Sequence, residues 1–134
     1  MSTLMKNIRP LIRKYFSFLE DQYHAVCDDG SDIVVYRSKL FAIRVWLERE
    51  QIFVDVSPVN MSFSLDLGYI IRFKRPELDF KYPRLDSGDL NPEQAIQDLA
   101  NFLKAEGTEL LKGNFSIKEG VEECMQKHHR QLGL

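Results

Sequence analysis

The chain has 134 residues, 44% of them hydrophobic and 28% charged, with a formal net charge of −2. That is the length of one domain, enough to bury about two-thirds of its unfolded surface, and the composition argues against wholesale disorder or a fibrous repeat. The near balance of charge excludes the broad positive field of a general nucleic-acid binder and the polybasic tail of a membrane-surface protein.

Leu4, Ile8, Leu11, Ile12, Tyr15 and Leu19 fall on one helical stripe, so a helix running to about Glu20 is expected, with Pro10 in its first turn and the residues before it loosely ordered. Phe16 and Phe18 lie outside the stripe and call for a second contact. Lys6, Asn7 and Arg9 interrupt the opening residues, which argues against a secretory leader, and no run approaches the roughly 20 apolar residues of a membrane span. A cytoplasmic protein is the expectation. Residues 1–18 carry bases and no acid, whereas Glu20, Asp21, Asp28 and Asp29 follow with no base between them, so the two blocks either pair across the fold or give the surface two faces.

Tyr23 to Cys27 reads as a first strand, closed by the turn at Asp28 to Gly30. From Ser31 to Val56, three β-rich segments are separated by breaks too short for crossover helices, which predicts an antiparallel meander. Alternation places Phe41, Ile43, Val45, Leu47, Ile52, Val54 and Val56 on a helix-covered face. Arg44, Trp46, Phe53 and Asp55 fall on the opposite, mixed face, with Tyr36 a further candidate there. Tyr69, Ile71 and Phe73 alternate with polar neighbours and predict a further, edge strand. Residues 75–90, with two prolines and mixed charges, read as a long surface connection whose Phe80 and Tyr82 either fold over the mixed face or await a partner.

Asn91-Pro92-Glu93-Gln94 is a helix start, with Asn91 as cap and Gln94 answering it, and Gly113 is the stronger stop signal. Ser116 to Glu119 offers a second capping box for a terminal helix to about Arg130. The fold class is α+β: a meander of about four or five strands packed against N-terminal and C-terminal helices, one domain over residues 1–134.

Chemistry is sparse. Cys27 and Cys124 permit one disulfide and demand none, and packing is the simpler role. His24 is close in sequence to Cys27, but strand geometry would set them on opposite faces. Cys124 and His128 are better spaced, on one helical face, yet the histidine pair His128-His129 reads as a solvated last turn. Asp28, Asp29 and Asp32 lack the ordered donors of a calcium loop. Asp55 and Asp66 would form a carboxylate pair only in three dimensions. Arg72, Lys74 and Arg75 beside Tyr69 and Phe73 suit phosphate and stacking, but nearby acids dilute the field and a solvated sheet edge is the plainer reading. No catalytic residue, metal site, cofactor or specific nucleic acid is therefore assigned.

The order of N-terminal helix, the sheet region FAIRVWLEREQIFVDVSP and the later helix LNPEQAIQDLANFLKA resembles small bacterial immunity-like α+β proteins of polymorphic toxin systems. The resemblance implies tight neutralisation of a cognate toxin by a noncatalytic protein-binding domain. The expected patch is Arg44, Trp46, Phe53 and Asp55, joined by Phe80 and Tyr82 if the connection returns over that face. Self-association as a homodimer, or a small cysteine or acidic hydrolase, are the alternatives.

Overall fold

The structure, a computed structural model, describes residues 3–85 and 91–133. The end of the long connection, 86–90, and the terminal residues 1–2 and 134 lie outside the described residues. The fold is α+β. Five antiparallel strands, β1 (Val26–Asp28), β2 (Ile33–Arg37), β3 (Phe41–Glu48), β4 (Gln51–Pro58) and β5 (Leu65–Asp66), lie side by side in chain order, as a meander requires.

Helix α1 (Thr3–Tyr15) begins before the expected first turn, and Pro10 sits inside it on the solvent side. The hydrogen bond that proline forfeits is tolerable there because water can reach the orphaned carbonyl. The helix does not continue to Glu20. The Ser17 hydroxyl donates to the Lys14 carbonyl at 2.9 Å, and a short helix α2 (Phe18–Tyr23) restarts and ends at His24, in the left-handed region at φ 58°. That conformation interrupts extended backbone, so the first strand opens at Val26 rather than Tyr23.

Ile8, Ile12, Phe16 and Leu19 are buried in one core with Val34, Phe41, Ile43, Val45, Ile52, Val54 and Val56 of the sheet, so the expected face is the covered one. Tyr36, a candidate for the mixed face, is buried in this core instead because it shares the side of Val34 on β2. Phe16 stacks on Tyr36 at 6.3 Å and Tyr23 meets Phe41 edge-on at 6.1 Å. Each large apolar side chain withdrawn from water here contributes roughly 1.5–3 kcal/mol. The two charge blocks pair across the fold: Arg13 holds Asp29 at 2.8 Å and Glu20 at 3.5 Å, and Arg9 donates to the Ser31 carbonyl.

The expected strand over Tyr69 to Phe73 is a helix, α3 (Leu67–Lys74). Its buried residues are Gly68 and the apolar Leu67, Ile70 and Ile71, a helical spacing that coexists in this segment with alternation. The cap decides between them, since the Asp66 carboxylate accepts the Tyr69 backbone N–H at 3.3 Å and starts the helix directly after the two-residue β5.

Helix α4 (Pro92–Glu106) is capped by Asn91, which accepts from the Glu93 N–H at 2.9 Å, while Gln94 bonds Asp98 instead of reaching back. A four-residue helix α5 (Thr108–Leu111) follows, and the chain turns at Gly113. Asn114 takes the Ser116 N–H at 3.0 Å, and the last helix, α6 (Lys118–Gln131), starts after Ile117 with no side-chain cap, contrary to the expected box at Ser116. Gly120 admits the Phe73 ring of α3 to where a Cβ would stand, which lets α6 pack closely on α3. Among the described residues no helix is long and apolar enough to cross a membrane.

Candidate functional site

Strand register sets out the face opposite the core as cross-strand rows. Ile33, Trp46 and Phe53 are successive partners across β2, β3 and β4; Val35, Arg44, Asp55 and Asp66 form the next row across β2 to β5. Side chains in such rows stand close enough to pack on one another. Trp46 stacks on Phe53 with ring centroids 5.8 Å apart, and the Arg44 guanidinium lies 5.9 Å from the Trp46 ring.

The segment after α3 returns to this face, so Phe80 and Tyr82 join the expected patch. After a 3-10 turn over Pro76–Leu78, Arg84 bridges to Gln51, and the Leu85 N–H donates to the Glu50 carbonyl at 2.8 Å. Tyr82 reaches Phe53 at 4.8 Å and Phe80 at 5.2 Å, extending the aromatic row. The Gly68 N–H donates to the Tyr82 hydroxyl at 2.9 Å; that hydroxyl lies 3.1 Å from Asp66 Oδ1 and 3.3 Å from the Val54 carbonyl, one of which takes its proton. A Cβ on Gly68 would stand 2.8 Å from the Tyr82 ring, so only glycine leaves room for it. Burial pushes the Tyr82 phenol well above its ordinary range and raises the Asp66 carboxyl.

Arg44 and Asp55, expected to reach separate groups on a partner, instead bond each other through both ends of the guanidinium fork, at 3.0 and 2.6 Å. Asp55 is 5% exposed and holds the Arg44 guanidinium in place. It also stands opposite Asp66, so the carboxylate pair weighed from sequence does form as a cross-strand pair.

Beside Phe53 and Tyr82 a cleft of about 340 Å³ opens between β4, α3, the returning segment and α6. Gln51, Asp66, Arg72, Lys81 and His128 line it. The histidine pair is not a freely solvated turn: the Tyr69 hydroxyl bridges His128 Nδ1 at 3.0 Å and His129 Nε2 at 3.1 Å, tying α6 to α3. Desolvation, with Arg72 and His129 nearby, holds His128 below its ordinary pKa. Sequence reading missed the cleft because its residues come from four separate segments with no common spacing.

The other chemical candidates stay apart or are occupied. His24 is exposed at the end of α2, and Cys27 is half-buried with its thiol pKa raised by desolvation, the opposite of an activated nucleophile. The bonded nitrogen of His128 goes to Tyr69 rather than to Cys124. Among the described residues no group of three or more histidine, cysteine and carboxylate side chains could hold a metal ion. No family model, curated protein or solved structure matches this chain.

Proposed function

We propose that this chain is a noncatalytic recognition domain, an immunity-like cytoplasmic protein that neutralises a bacterial toxin by binding it. The observation that carries the reading is the row Ile33, Trp46 and Phe53, continued by Tyr82 and Phe80, on the sheet face opposite the core. Ile33 is 38% exposed, and Trp46 and Phe53 are half-buried, so the row is large, apolar and in reach of another surface. Rigid aromatic rings beside a fixed arginine have the composition of interface hot spots, where few residues carry most of the binding energy. Arg44 is pre-oriented by Asp55, which lowers the ordering cost of using its remaining donors on a partner carbonyl or carboxylate. The order of elements that resembles immunity-like proteins supports the same reading and names the class of partner.

Self-association is the second reading, favoured by β1: among the described residues this edge strand pairs with β2 alone, and it presents Val26 at 73% exposure. A photo-crosslinking residue placed at Ile33, at Val26 or, as a control, at Asp98 of α4 separates the two in the native cell. Recognition through the aromatic row yields one heterologous adduct from Ile33 and none from Asp98. Adducts of this chain with itself from Val26 would support self-association instead, and equal labelling from Ile33 and Asp98 would refute a specific face.

A further inference from the structure

The basic residues of α3 and its C-cap divide by what they touch. Lys74 Nζ donates to the Glu106 carbonyl at the end of α4, at 2.5 Å, and Arg75 bonds the Glu106 carboxylate at 2.9 Å. Those two charges hold helices together. Among the described residues Arg72 makes no such bond: its side chain is 17% exposed, and its ion-pair partner there is Asp79, 3.8 Å away with a side chain 79% exposed. That distance is too long for a hydrogen bond, and so exposed an ion pair contributes little. A guanidinium carries five donors, so beyond Asp79 Arg72 keeps donors that an oxyanion beside it can accept from.

What lies beside it is the cleft. Lys81 brings a second positive charge, Gln51 an amide, and His128 a ring nitrogen not used by Tyr69, while Phe53 and Phe80 form apolar walls. Asp66 also lines the cleft, but its Oδ1 accepts the capping Tyr69 N–H and lies within bonding distance of the Tyr82 hydroxyl, which directs charge into the helix start. A volume near 340 Å³ is at the small end of ligand pockets and suits one substituted ring.

We propose that this cleft binds a small ligand in which a carboxylate or phosphate is attached to a flat apolar ring, with Arg72 gripping the oxyanion, Lys81 as the second charge, and Phe53 and Phe80 contacting the ring. Arginine is suited to this task because its planar fork matches two oxyanion oxygens at once. The inference goes beyond protein recognition and does not depend on it.

The test is an NMR titration of the whole chain with phenyl phosphate, benzoate and inorganic phosphate at constant ionic strength. Saturable shifts confined to the cleft, residues 51–53, 66–72, 80–82 and 128, are expected, with one aryl compound binding at least about tenfold more tightly than inorganic phosphate. The tighter of phenyl phosphate and benzoate assigns the oxyanion. Arg72→Gln should weaken binding about tenfold or more, the loss of one charge-assisted forked contact. Because Lys81 is exposed, Lys81→Gln provides a second variant that leaves the fold untouched, and it should weaken binding about threefold or more. Absence of saturable binding by all three probes, or undiminished affinity in Lys81→Gln and folded Arg72→Gln, would overturn the proposal.

Discussion

Arg44 closes its fork on Asp55, with Nε at 3.0 Å and Nη2 at 2.6 Å from the two carboxylate oxygens, directly across the β3–β4 ladder. The pair is unequal, since Asp55 is nearly buried while Arg44 keeps about a third of its side chain in water. Arg44→Ala would strand Asp55 beside Asp66, two carboxylates in facing strands. Breaking a buried pair from one side costs several kcal/mol, and the partial exposure of Arg44 lowers the expected loss to about 2–3 kcal/mol. Replacing both residues, Arg44→Met with Asp55→Leu, should recover most of it. Urea denaturation of the single and double variants measures the coupling; a loss below about 0.5 kcal/mol for Arg44→Ala would show the pair to be incidental.

Tyr82 is expected to matter through its hydroxyl as much as its ring. Tyr82→Phe keeps the aromatic contact with Phe53 but leaves the buried Gly68 N–H without its acceptor. The expected destabilisation is about 1–3 kcal/mol, read as a fall in the urea midpoint with unchanged slope. An unchanged midpoint would mean that water replaces the hydroxyl.

The β3–β4 turn carries avoidable strain. Arg49 and Glu50 both adopt left-handed backbone, at φ 51° and 62°, as a two-residue primed turn demands, yet neither is a residue that favours it. Arg49→Asn combined with Glu50→Gly should therefore stabilise the protein by about 1 kcal/mol, seen as a higher thermal midpoint. A lower midpoint would indicate that the native side chains contribute more than the backbone strain costs.

Acid should loosen the contact between α1 and α4. Glu93 accepts from the Tyr15 hydroxyl at 2.5 Å and faces Lys14 at 3.4 Å, and these partners hold its carboxyl below the ordinary 4.5. A carboxyl with a depressed folded pKa contributes stability above its unfolded value and loses it as pH falls through the folded one. Thermal midpoints followed from pH 6 to pH 3 should thus fall less steeply in Glu93→Gln than in the native chain. Parallel curves would contradict this.

His128 gives a second pH signature. Arg72, His129 and Lys81 disfavour its charge, Asp79 favours it, and desolvation is the largest influence, so its titration should lie below the ordinary 6.5. Since the folded pKa is the lower one, the associated stability is present above pH 6.5 and lost as pH falls through the folded value. Imidazole carbon-bound proton shifts measure this directly, and a midpoint above 6.5 would place the ring in an acidic rather than a basic setting.

The sheet was legible in the sequence because alternation in Phe41–Glu48 and Gln51–Val56 runs long enough to fix both faces. α3 was not, since Leu67, Ile70 and Ile71 serve a helix while Tyr69, Ile71 and Phe73 imitate a strand, and only the Asp66 cap separates the two. The patch residues Arg44, Trp46 and Phe53 were found by the same alternation. That Arg44 and Asp55 would satisfy each other depends on register, which neighbouring residues do not reveal. The cleft was further out of reach, because Arg72, Lys81 and His128 meet only after α6 packs on α3 and the connection folds back.

The most direct test of recognition by the sheet face is the dissociation constant of the purified complex formed with the protein captured from Ile33, compared between the native chain and Trp46→Ala. The account predicts a complex of fixed stoichiometry and a loss of about 2 kcal/mol or more, roughly thirtyfold in affinity, with the variant still folded. Equal affinity for the native chain and the variant would contradict it.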